Sequence, residues 1–86
     1  MSNLQNLIKE LDTVIALEKS EPLTTLGSYI LGVLLRDPRG LSETNPIIEQ
    51  ISDRASDLEI KNGSESDLKA DWEYVKNLVE KLRRSE

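Results

Sequence analysis

From Pro22 to Leu35 the chain runs Pro-Leu-Thr-Thr-Leu-Gly-Ser-Tyr-Ile-Leu-Gly-Val-Leu-Leu without a single charge. In a chain in which 31% of residues are charged, such a run must be taken out of water, and the remaining segments must cover it. Wound as a helix at about 100° per residue, it places Leu23, Leu26, Ile30, Val33 and Leu34 on one side and Leu31 and Leu35 beside them. Gly27 and Gly32 weaken a helix interior, and Tyr29–Leu35 also reads as a buried strand. No second β-like run exists to pair with it, so the helix is the expected form. The segment is too short to span a bilayer, which takes about 20 apolar residues.

The other segments are built to sheathe this one. Leu4, Leu7, Ile8, Leu11, Val14 and Ile15 recur at i, i+3, i+4 spacing, which predicts an amphipathic helix over 2–18 opened by a Ser2/Gln5 capping box. Leu17 falls off that stripe and is expected to pack under the following turn. Pro22 suits a first helical turn, so the short link before it makes an antiparallel helical hairpin with the second helix, 22–36. Asp37-Pro38-Arg39-Gly40 reads as a turn. Asn45 then caps a third helix, 46–61, with Pro46 at its first position. Asn62-Gly63 stops that helix, and a fourth begins at Ser64 or Ser66 and runs 65–84. Its Leu68, Trp72, Val75, Val79 and Leu82 repeat at the 3.5-residue period of shallow helix packing. Glu80 and Arg84 are an i, i+4 pair, and Lys76, Lys81, Arg83 and Arg84 complement the helix's negative end. The expected fold is all-α: one domain over 1–86, a mostly antiparallel four-helix bundle whose apolar second helix is central and most buried.

Composition excludes whole classes of chemistry. The 86 residues include no Cys and no His. That removes disulfides, thiolate nucleophiles, Cys/His zinc sites, imidazole bases and Ser-His triads. A net charge of −5 argues against a nucleic-acid groove, which needs clustered Lys and Arg. Lys9, Glu10 and Asp12 interrupt the first apolar run, so no signal peptide is expected there. The absence of cysteine is compatible with a reducing cytoplasm, the expected setting. No cofactor, metal or membrane partner is expected.

Three features remain as candidate sites. Glu49, Asp53 and Asp57 stand four apart on the third helix, so like charges stack along one edge at a cost of about 0.2–0.5 kcal/mol per pair. The edge reads either as a solvated face or as a docking surface for a basic protein. Arg39 and Leu41 in the connecting loop, and Tyr74, expected to be exposed beside Lys69 and Asp71, would extend that surface. Thr25, Ser28 and Gly32 form a small-residue face. It reads as tight packing within the chain or as the crossing point of a homodimer. Trp72 reads as core. The expected function is therefore non-enzymatic: a small acidic module that binds another protein. Two alternatives stay open, an antidote or immunity-type inhibitor of a basic nucleic-acid-active toxin and a homo-oligomeric assembly subunit.

Overall fold

The computed structural model describes residues 3–36, 45–60 and 64–84. Over these the chain forms four helices: α1 (Asn3–Ile15), α2 (Leu23–Leu35), α3 (Pro46–Ile60) and α4 (Glu65–Arg84). No strand occurs among the described residues, so the uncharged run is helical throughout. The helices pack as a four-helix bundle, with α2 touching each of the other three.

The starts of the helices follow from local chemistry. Asn45 Oδ1 accepts the Ile47 N–H at 2.9 Å, satisfying an orphan donor beside Pro46. Ser64 Oγ accepts the Asp67 N–H at 3.3 Å, which selects Ser64 over Ser66 as the cap of α4. Pro22, at φ −62° and ψ 151°, stands just outside α2, and its carbonyl accepts the Leu26 N–H at 3.0 Å. Lys81, Arg83 and Arg84 occupy the last turn of α4, where cations meet the negative end of the helix. Ser2, Asn62 and Gly63 lie outside the described residues.

One core joins all four helices. Leu11, Leu26, Ile30, Ile48, Ile51, Leu58 and Leu82 are fully buried, and Trp72 is buried as expected. Burying each such aliphatic side chain contributes about 1.5–3 kcal/mol. Leu78 joins them although it falls outside the 3.5-residue stripe, because α4 has neighbours on more than one side. The closest approach is between α2 and α3. A Cβ on Gly27 would lie 2.9 Å from the Ala55 carbonyl oxygen and 2.9 Å from Leu58 Cβ. The N-terminal half of α2 therefore lies on the C-terminal half of α3, the antiparallel arrangement.

Several expectations are corrected. Helix α1 ends at Ile15 and not at 18, because the Leu17 and Glu18 N–H groups bond three residues back, to Val14 and Ile15, and tighten the chain into turns. Leu17 is 37% exposed and does not tuck under that turn. Glu80 pairs with Arg83 and not Arg84, since Arg83 also reaches Asp12 on α1 and the two carboxylates share it. The second helix is central but not enclosed: Ser28, Tyr29, Leu35 and Arg36 face solvent, and Leu35 is 84% exposed. Three neighbours on one side of a helix leave its far side bare. The small face Thr25, Ser28, Gly32 is likewise not an internal contact, because a Cβ on Gly32 would meet nothing within 4 Å. Gly27 makes that contact instead.

Candidate functional site

A concave region of the described surface contains part of the acidic row. Residues on α3 and α4 form a cleft of about 380 Å³ lined by Gln50, Asp53, Arg54, Asp57 and Tyr74. Asp53 and Asp57 are one turn apart on the exposed side of α3. Neither they nor Glu49 pairs with another described residue. Glu49 is exposed but lies off the cleft, because a row of i, i+4 positions curls around a 3.6-residue helix. The structure thus unites Asp53, Asp57 and Tyr74 and leaves Glu49 on the approach. Arg39 and Leu41 lie outside the described residues.

Arg54, one of the cleft's lining residues, is held by two partners. Arg54 Nη1 donates to Asp71 Oδ1 at 3.2 Å, and the guanidinium carbon stands 4.3 Å from the centroid of the Tyr74 ring. Asp71, beside Tyr74 on α4, is buried at 6% exposure. Pinned by a buried carboxylate and an aromatic face, Arg54 holds Tyr74 in place. Asp53 and Asp57 line the same cleft, exposed and outside ion-pair distance of this guanidinium. Tyr74 stays 44% exposed, so its ring offers contact area at low entropic cost.

A second concave region is a groove of about 530 Å³ where the α1–α2 connection meets α4, floored by Pro22, Leu23 and Trp72. Part of its charge is satisfied internally. Trp72 Nε1 donates to Glu18 Oε2 at 2.8 Å, Lys76 Nζ reaches the same oxygen at 3.0 Å, and Lys76 also reaches Glu73 at 2.8 Å. The Trp72 indole, and after it Lys76, hold the Glu18 carboxyl below its usual range. The bonds to Glu73 and Glu18 raise Lys76 against the opposing effect of burial. This cluster ties the turn after α1 to α4. It joins residues 54 positions apart, which no periodicity reveals. The Arg54–Asp71 pair likewise joins residues 17 positions apart, and only the α3–α4 packing shows it.

Among the described residues no group of three or more acidic side chains is placed to hold a metal ion, and no helix is long and apolar enough to cross a membrane. Compared with known protein families, curated proteins and solved structures, the chain matches none.

Proposed function

We propose that the protein works by binding another protein through the acidic cleft between α3 and α4, and that the bound surface is basic. The observation that carries this is the pairing of two unpartnered carboxylates, Asp53 and Asp57, with an aromatic ring already fixed by Arg54 and Asp71. An arginine or lysine of the partner would enter between the carboxylates and lie against the exposed part of Tyr74, while Glu49 steers its approach. The cleft is preorganised, so little ordering cost is added on association. The arrangement recognises and orients a cation.

The test compares recovery of partners by the wild-type chain and by the Glu49→Lys/Asp53→Lys/Asp57→Lys variant, at low and high salt. The expected result is a basic partner retained at low salt by wild type, weakened at high salt and lost from the variant. Tyr74→Ala should lower affinity while leaving the salt dependence in place, since the carboxylates remain. Identical recovery by wild type and the charge reversal would overturn the proposal.

A further inference from the structure

We infer that residues 3–21, α1 with the connection after it, form a lid that opens as one piece about the Glu21–Pro22 link while α2, α3 and α4 stay packed. The lid is a single hydrogen-bonded unit. Backbone bonds of the connection run back toward α1: the Ala16 N–H reaches Asp12, Leu17 reaches Val14, Glu18 reaches Ile15, and the Leu17 carbonyl accepts both Ser20 and Glu21. The Leu26 N–H then starts a separate set by donating to the Pro22 carbonyl. Pro22 has no N–H to bond across the boundary, and no side chain caps the start of α2. At Glu21–Pro22 the chain therefore pivots without breaking any of these backbone bonds.

The lid is also held less firmly than the rest. Helix α1 lies chiefly against α2 and α4. Of its buried side chains Leu11 alone is fully enclosed, while Leu7, Ile8 and Val14 each keep a little exposure. The α2–α3 contact, by contrast, brings the Ala55 carbonyl within 2.9 Å of a Cβ at Gly27, and α3 is tied to α4 through the buried Asp71. The two polar ties from the lid to α4 are both open to water. Asp12 meets Arg83, and Glu18 meets the Trp72 indole at 2.8 Å and Lys76 at 3.0 Å. Water replaces each partner as the lid lifts, so opening strands no buried polar group. A helix of 13 residues is marginal alone in water, so α1 unwinds once lifted and its amides exchange together. Opening uncovers the apolar sides of α2 and α4. It leaves the acidic cleft on α3 and α4 intact, and the inference does not depend on binding there.

Native-state hydrogen exchange of the full chain in rising, sub-denaturing urea tests this. After correction for intrinsic rates, the amides of Leu7, Ile8, Leu11 and Val14 should exchange at least about tenfold faster than those of Ile51, Ala55 and Leu58. Their urea dependence should be shallower, because opening exposes less surface than unfolding. Trp72 carries both reports on one residue. Its indole N–H, bonded to Glu18, should follow α1, and its backbone amide, inside α4, should follow α3. Gly27→Ala weakens the α2–α3 packing, which survives opening. It should therefore speed exchange in α3 at least about fivefold and leave α1 unchanged. Glu18→Ala removes the latch and should speed α1 exchange about threefold or more. The wild-type urea slopes decide the question even where Gly27→Ala fails to fold. One common rate and slope for α1 and α3 would overturn the inference. So would an indole N–H that keeps pace with the Trp72 backbone amide, or α1 exchange unchanged by Glu18→Ala.

Discussion

Gly27 and Gly32 occupy one helix, five residues apart, and meet opposite environments. A methyl group on Gly27 would press on the Ala55 carbonyl and Leu58, and backbone cannot yield as a flexible side chain can. The Gly27→Ala variant is therefore expected to be destabilised by about 1–3 kcal/mol, overpacking outweighing the gain in helix propensity. Gly32→Ala meets open space and should stabilise the monomer by about 0.5–1 kcal/mol. Urea unfolding at low protein concentration, followed by Trp72 fluorescence, measures both. Opposite signs are expected, and matching signs would contradict the packing described for α2 on α3. In the sequence the two glycines look alike. Helical phase does place Gly27 nearer the apolar arc, but how close a neighbouring backbone comes depends on which helix crosses there.

At the scale of the element, α3 carries opposing demands. Its inner face, Ile48, Ile51, Ala55 and Leu58, is buried and follows from spacing. Its outer edge holds three carboxylates one turn apart, which repel through water. Asp53→Lys replaces two repulsive i, i+4 pairs with attractive ones, and is expected to stabilise the free protein by roughly 0.5–1 kcal/mol. The same change should weaken binding of a basic partner, read as a rise in dissociation constant at low salt. Greater stability with weaker binding is the signature of a row kept for contact. Unchanged binding would mark the edge as solvation alone. The row itself was legible from its spacing. Its division into two residues on the cleft and one outside was not, because that depends on where α4 lies.

For the whole molecule, the Glu18–Trp72–Lys76 cluster fastens the α1–α2 connection to the last helix. Because folding lowers the Glu18 pKa from its usual 4.5, the stability it adds is fully present above that value. It is lost as pH falls through the lowered, folded-state pKa. Lys76 is raised above its usual 10.5, so its contribution holds below that value and fades as pH climbs through the raised one. Stability against urea should thus be flat between these limits with respect to this pair, and decline at both ends. Glu18→Gln keeps an acceptor for the indole N–H and should remove part of the acid-side decline. Its effect near neutral pH should stay below about 1 kcal/mol, as for other solvent-accessible ion pairs. An acid limb identical to wild type would show that Glu18 does not contribute to it.

The sequence alone determined the four helices, nearly all their bounds and most of the residues that turn inward, because helical phase and capping are local and hydrophobic burial follows periodicity. The tertiary structure decided which glycine touches a neighbour, which carboxylates share a cleft, what Arg54 and Glu18 bind, and that one side of the uncharged helix stays bare. Those outcomes depend on distances between segments remote along the chain, and pairing across helices leaves no period to read.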